Sequence, residues 1–224
     1  MSTSAASPVA IVIHAGAGGK GIKMAPEKEK EYHKTLTKAL RAGHAVLEKK
    51  GSAIEAVQAA IVVMEDSTLF NAGKGAVFTS AGENELDASI MDGKSLLAGA
   101  VGGVTVIKNP IRAAHAVMEK TPHVMLAGNG ADAFAKKVGL EIVPRKYFYT
   151  EHRWKQLEEW TAKQKTKKQS QLEMTREYLG TVGCAALDSK GNIAAGTSTG
   201  GLTGKQYGRL GDSPIIAAGT YADN

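Results

Sequence analysis

Apolar and polar positions alternate in period along the chain, and each change of period marks an element. Residues 9–13 (VAIVI) form a continuous β-branched run, the pattern of a buried strand. From Pro26 the spacing becomes helical: Tyr32, Leu36, Leu40 and Leu47 fall on one face up to Gly51. Ser52 and Glu55 have capping-box spacing, and Ile54, Val57, Ile61 and Met64 then make a second helical stripe. Residues 76–79, 86–91 and 98–107 predict strands separated by glycine or polar turns. Asn109-Pro110 opens a third helix with Ile111, Ala114, Val117 and Met118 inward. Residues 124–127 predict a short strand, and Ala131, Phe134, Ala135 and Val138 a fourth helix. Residues 182–187 and 193–197 predict two strands joined by a hairpin sequence at 188–192, and 214–218 predict a last strand. The grouping predicts an α/β fold of sheets packed with helices, not a regular alternation of parallel strands and helices.

One segment breaks the pattern. Residues 151–178 are rich in Lys, Gln, Glu and Thr and hold no glycine or proline. Trp154, Leu157 and Trp160 suit a helix in the early part, and the rest reads as a mobile linker. The 224 residues are 43% hydrophobic and 22% charged, which suits one domain with a real core. No apolar run is long enough to span a bilayer. The N-terminal residues lack a basic n-region, and one cysteine excludes an internal disulfide, so a cytoplasmic protein is expected. The net charge of +6 has its densest cluster at 163–168 (KQKTKK), flanked by glutamates and without interleaved aromatics. Nucleic-acid binding is therefore not expected.

Candidate chemistry is uneven. Gly16, Gly18 and Gly21 satisfy G-x-G-x-x-G after a strand, which is the dinucleotide-binding spacing. The next helix starts near Pro26, and a second helix follows where the fingerprint needs a strand, so a nucleotide-binding protein is kept only as an alternative. Six scattered histidines make no zinc motif; His33, His44 and His115 read as surface or helix-end residues. Cys184, inside an apolar strand, reads as an inert thiol.

The junction of linker and strand carries more. Cleavage between Gly180 and Thr181 would give the threonine a free α-amine beside its own hydroxyl, the base a threonine nucleophile needs. Thr197, Ser198 and Thr199 end the next strand and bring further hydroxyls near. Arg209 and Asp212, three apart in a glycine-bounded loop, match the carboxylate and ammonium ends of an α-amino acid. Their alternative is a surface salt bridge to each other.

On these residues the chain resembles a known family. Residues 180–201 (GTVGCAALDSKGNIAAGTSTGG) with 208–214 (GRLGDSP) are similar to the plant-type, N-terminal-nucleophile L-asparaginases and isoaspartyl peptidases. His14 to Gly18 (HAGAG) resembles the family's H-G-G-A-G with Ala15 for a glycine, and 69–78, 85–93, 98–101, 109–110 and 122–125 also match. The resemblance implies an N-terminal-nucleophile hydrolase αββα sandwich, made as a precursor that cuts itself before the threonine. It would comprise an α-chain core over 1–150, a linker over 151–180 and the start of a β-chain over 181–224. The implied activity is hydrolysis of L-asparagine and β-aspartyl dipeptides to L-aspartate, with a dimer of αβ heterodimers as the assembly. Thr181 resembles the nucleophile, Thr199 its supporting hydroxyl, Asn71 a residue orienting it, Arg209 the α-carboxylate clamp and Asp212 the α-amine acceptor. Backbone carbonyls of Met64, Glu65, Ser67, Phe70, Ala72 and Lys74 resemble a sodium-binding loop; no other cofactor is implied.

The family continues beyond the position of Asn224, where it carries a Thr-Gly oxyanion pair. The fold is thus expected to be incomplete at the C-terminus. The remaining alternative is a truncated, catalytically inactive relative that lacks this segment.

Overall fold

The computed structural model describes residues 8–16, 24–166 and 180–224. They form a single six-stranded sheet with helices packed on it. The strands are β1 (Ala10–His14), β2 (Leu86–Asp92), β3 (Ala98–Val104), β4 (Met125–Ala127), β5 (Val182–Leu187) and β6 (Ile193–Thr199). Their order is β1-β5-β6-β2-β3-β4, antiparallel except for β3 and β4. The helices are α1 (Pro26–Glu48), α2 (Ala53–Glu65), α3 (Pro110–Lys120), α4 (Gly128–Lys137) and α5 (Glu151–Thr166). Among the described residues no helix is long and apolar enough to cross a membrane. One sheet with its helical layer is thus seen, half of the four layers expected.

Strand periodicity of two sorts the sheet's residues into two faces. Leu86, Ala88 and Ile90 of β2, Val182, Cys184 and Ala186 of β5, and Ala194 of β6 join the main core with Val57, Ile61 and Ile111. Gly196 lies so close to Val57, Ile61 and Ile111 that a methyl there would meet all three. The intervening positions, Asp87 and Ser89 of β2, Gly183 of β5, and Thr197 and Thr199 of β6, face the other way. The register aligns them: Asp87 with Thr199, and Ser89 and Gly183 with Thr197. One face is therefore mainly apolar, with Ser198 as its hydroxyl exception, and the other carries hydroxyls and Asp87.

Helix boundaries follow local chemistry. Pro26 stands at the start of α1. Ser52 accepts from the Glu55 N–H while the Glu55 carboxylate accepts from the Ser52 N–H, a complete capping box. In α1 the buried residues are Ala39, Gly43 and Leu47, small enough for close approach to α2; Leu40, expected inward, is 39% exposed.

Four other expectations change. Among the described residues the strand at 9–13 sits at the sheet edge, paired only on one side, and its Val12 is 66% exposed. Residues 76–79 are buried but form no strand, because side chains take their backbone groups. Val77 N–H donates to Asn71, and the Ala76 and Val77 carbonyls accept from Asn84. Residues 214–218 form turns with an isolated bridge from Ile216 to Thr220, and Ala217 adopts φ 68°. His115 is not a surface residue: its ring is 17% exposed and contacts Gln58 on α2 at 2.7 Å.

The early part of the expected linker is α5, with the rest (167–179) outside the described residues. Leu157 and Trp160 pack with Phe78 in a small second core, which Trp154 joins. Arg153 donates from Nε to the Gly75 carbonyl at 2.7 Å. Burial pushes the Cys184 thiol up to about 12, in keeping with an inert residue.

Replacing Ser52 with alanine removes the capping box, so Ser52→Ala should cost about 1 kcal/mol. A urea midpoint lowered at unchanged slope checks this.

Candidate active site

The site gathers where β5 begins. Asn71 is buried, and its side chain makes three hydrogen bonds. Nδ2 donates to the Gly180 carbonyl at 2.9 Å and to the Gly201 carbonyl at 2.7 Å, and Oδ1 accepts from Val77 N–H at 3.0 Å. The Thr199 hydroxyl also donates to the Gly180 carbonyl, at 2.9 Å. In turn it accepts from the Thr181 hydroxyl at 3.2 Å and from Gly201 N–H at 3.0 Å. The carbonyl of the Gly180–Thr181 bond thus receives two donors, and the next residue's hydroxyl lies one hydrogen bond away.

Gly16 closes the other side. At φ 116° its α-carbon packs on this bond; a methyl there would lie 3.1 Å from the Gly180 α-carbon and 3.3 Å from the Thr181 nitrogen. Gly18 and Gly21, the other glycines of the dinucleotide spacing, lie outside the described residues. The topology opposes that reading: β1 pairs antiparallel with β5, and α1 leads directly to α2.

An open cavity of about 600 Å³ lies over the bond, lined by His14, Gly16, Thr181, Asp212 and Ser213 among others. Asp212 is exposed on it. Arg209 is not among the lining residues; its guanidinium lies beside Gly201, 3.2 Å from where a methyl there would be. Arg209 and Asp212 form no ion pair with each other among the described residues, so the surface-bridge alternative is not realised.

Apart from Thr197, already expected near Thr181, several residues here were not singled out by the sequence pattern. The Ser213 hydroxyl is 3.4 Å from that of Thr181. Beneath it, Ser89, Thr197 and Thr220 form a buried hydroxyl cluster, with the Ser213 carbonyl accepting from Ser89 at 2.6 Å and Thr197 at 2.8 Å. The His14 ring lies over Gly183, where any side chain would collide with it. Burial lowers its pKa, opposed by a hydrogen bond with the Thr181 backbone. Sequence signals for these were present but weak: Ser213 follows Asp212, and His14 opens the HAGAG motif.

The 64–74 loop supports the site from behind. The Glu65, Ser67 and Phe70 carbonyls crowd the α-carbons of Gly73 and Gly75, where no side chain could fit. The Met64 and Ala72 carbonyls accept turn hydrogen bonds from Ser67 and Gly75. Lys74 places its ammonium 5.1 Å from the centre of the Tyr147 ring. The fully buried Glu65 carboxyl accepts from Ile111 N–H at 3.0 Å and from the Ser198 hydroxyl at 2.7 Å, joining α2, α3 and β6. Burial raises its pKa to about 8.

Comparison with known proteins identifies the family. The asparaginase family model (Asparaginase_2) matches residues 7–224. The chain belongs to this family. It is 46% identical over 214 residues to the human isoaspartyl peptidase/L-asparaginase, covering 96% of this chain and 67% of the human protein. A putative isoaspartyl peptidase/L-asparaginase of Dictyostelium discoideum is 43% identical over 247 residues, with 95% and 70% covered. The isoaspartyl peptidase of Escherichia coli is 44% identical over 221 residues, with 96% and 68% covered. The family is one of N-terminal-nucleophile hydrolases, as the resemblance implied.

Asn71→Ala strips partners from Val77 N–H and the Gly201 carbonyl and leaves Gly180 with one donor. Each buried group left unsatisfied costs about 1–3 kcal/mol. Urea denaturation should therefore show a loss of at least about 2 kcal/mol, whatever the effect on chemistry.

Proposed function

We propose that this chain is an amidohydrolase that matures by cutting itself between Gly180 and Thr181, then hydrolyses L-asparagine and β-aspartyl dipeptides to L-aspartate. The observation that carries the reading is the doubly donated Gly180 carbonyl beside the Thr181 hydroxyl. Family membership and the names of the relatives support the substrate class.

In the self-cleavage step the Thr181 Oγ attacks the Gly180 carbonyl carbon. Asn71 and Thr199 stabilise the charge that develops on its oxygen, the work of an oxyanion hole. The C–N bond breaks, the nitrogen takes up the hydroxyl proton, and an ester joins Gly180 to Thr181 Oγ. Water hydrolyses the ester, leaving a Gly180 carboxylate and a free Thr181 amine.

That amine then acts as the base for its own hydroxyl, with an ordinary pKa of about 7.7–8.0. Thr181 attacks the side-chain amide of asparagine, or the isopeptide carbonyl of a β-aspartyl peptide. The relayed proton leaves with ammonia or the departing amine, and water releases aspartate from the ester. Arg209 holds the substrate's α-carboxylate and Asp212 its ammonium, a pairing favoured by the absence of a bridge between them.

The Glu65, Ser67 and Phe70 carbonyls around Gly73 and Gly75 suit a hard monovalent cation such as sodium, which the backbone carbonyls of Met64, Glu65, Ser67, Phe70, Ala72 and Lys74 would hold. Its contribution would be to stiffen the loop that carries Asn71. A cytoplasmic location and assembly as a dimer of αβ heterodimers belong to the same proposal.

Incubated protein should resolve by mass spectrometry into two fragments divided before Thr181, and should release ammonia from asparagine. Thr181→Val should leave the chain intact and lower ammonia release at least about a thousandfold. Arg209→Ala should raise KM about tenfold or more, since a hydrogen bond to a charged group is worth about 1.5–3 kcal/mol. An unaltered chain that stays whole and releases no ammonia would favour the inactive alternative.

A further inference from the structure

Beneath Arg209 lies a buried lysine with no part in the steps above. The Lys205 side chain is 1% exposed. Its ammonium donates to the Glu85 carbonyl at 3.0 Å and stands 3.7 Å from the Glu85 carboxylate and 3.9 Å from Asp87 Oδ2. Asp87 is fully buried. Its Oδ1 accepts from Gly103 N–H at 2.8 Å, while Oδ2 has no hydrogen-bond partner among the described residues. Arg209 and Lys205 both flank Gly201. A methyl on Gly201 would lie 3.2 Å from Arg209 Nη1 and 3.3 Å from Lys205 Nζ. Arg209 makes no ion pair among the described residues.

A buried carboxylate oxygen without a partner attracts whatever cation can reach it. Two can. A guanidinium, with paired donors in a rigid fork, binds a carboxylate better than an ammonium does. The Arg209 head nevertheless turns toward Gly201 and Gly211, and Lys205 stands nearer Asp87. Burial pushes the Asp87 carboxyl up, and Lys205 opposes this more than Arg209 does.

We propose that Lys205 is a positioning residue: by supplying the counter-charge of Asp87 it keeps Arg209 free to hold an incoming α-carboxylate. The inference rests on Arg209 being the carboxylate clamp. Without the ammonium, Asp87 draws Arg209 inward and the clamp is lost, although neither Lys205 nor Asp87 touches the ligand. The effect falls on carboxylate binding, and removing the Asp87 charge as well abolishes the capture.

The test is calorimetric binding of L-aspartate, and of its α-carboxamide analogue, to the purified chain. Lys205→Met should weaken aspartate binding tenfold or more and leave the carboxamide within twofold. The double variant Asp87→Asn/Lys205→Met should return aspartate binding to within threefold of the unaltered protein, an outcome that simple loss of packing would not produce. Equal aspartate binding by Lys205→Met, or a double variant more than tenfold weaker than the unaltered protein, overturns the inference. Should the single variant fail to fold, the double variant decides by the same limits. Aspartate binding that falls in Arg209→Ala but not in Lys205→Met removes this inference alone. No aspartate binding by the unaltered chain, or none lost in Arg209→Ala, removes the clamp reading and this inference with it.

Discussion

The Asn71 side chain is the point through which three separate backbone segments are fixed. It holds the carbonyl of Gly180, the carbonyl of Gly201 and the N–H of Val77 at once. None of these segments has a strand partner at that position. Buried backbone groups must be paired somewhere, so the loops around the site depend on an amide that can donate twice and accept once. The same bonds have a chemical consequence. A carbonyl that already accepts two hydrogen bonds is polarised toward attack, and here that carbonyl belongs to the bond before Thr181. What holds the loops in place would also prepare the bond for the proposed cleavage.

The two-faced sheet explains how so much polarity is buried without losing the core. Period-two alternation sends Ala, Gly and aliphatic residues toward the helices and Ser, Thr and Asp toward the cavity side. Glycines and alanines at the sheet–helix contacts let α2 and α3 approach closely, so a chain with only 5% aromatic residues still fills its interior. Glu65, Asp87 and Lys205 are the costly exceptions. Each is buried, and each lies at a junction between elements: Glu65 among α2, α3 and β6, and Asp87 with Lys205 between β2 and the 200–209 loop. A buried ion pair such as Asp87 with Lys205 does not favour stability over apolar replacements, and Glu65, its pKa raised to about 8 by burial, is a buried polar group held mostly uncharged. Their placement makes sense where orientation of a neighbouring group matters more than packing.

Much of this was legible in the residue pattern, for physical reasons that also explain the failures. Strongly periodic segments and chemical punctuation read correctly: the Pro26 start, the Ser52 and Glu55 box, and the hairpin at 188–192 all depend on neighbours in sequence. Residues 76–79 misled because they are apolar and extended, yet their partners are the side chains of Asn71 and Asn84, which no local pattern reveals. Residues 214–218 misled for the same reason, being apolar but folded over the hydroxyl cluster by turns. The proximity of Thr181 and Thr199 was legible because one directly precedes β5 and the other ends β6, the two strands of one hairpin. That of His14 was not, because it arises from pairing of β1 with β5, across the length of the chain. The Lys205 and Asp87 pair was missed because a loop lysine and a strand aspartate look like solvated charges until burial is known.

The strand order bears on whether cleavage before Thr181 is compatible with this fold. The segment after the bond contributes β5 and β6, and the segment before it contributes β1 to β4. In the sheet these are interleaved: β5 pairs with β1 on one side, and β6 pairs with β2 on the other. Breaking the chain between 180 and 181 removes no strand pairing. Cys184 and Ala186 remain packed in the main core and Ser198 remains bonded to Glu65, while upstream α5 stays docked through Arg153, Leu157 and Trp160. The two products would share one sheet and one core, so separating them would expose both. A backbone cut as proposed would need that property, and here it follows from topology before any catalytic residue is considered.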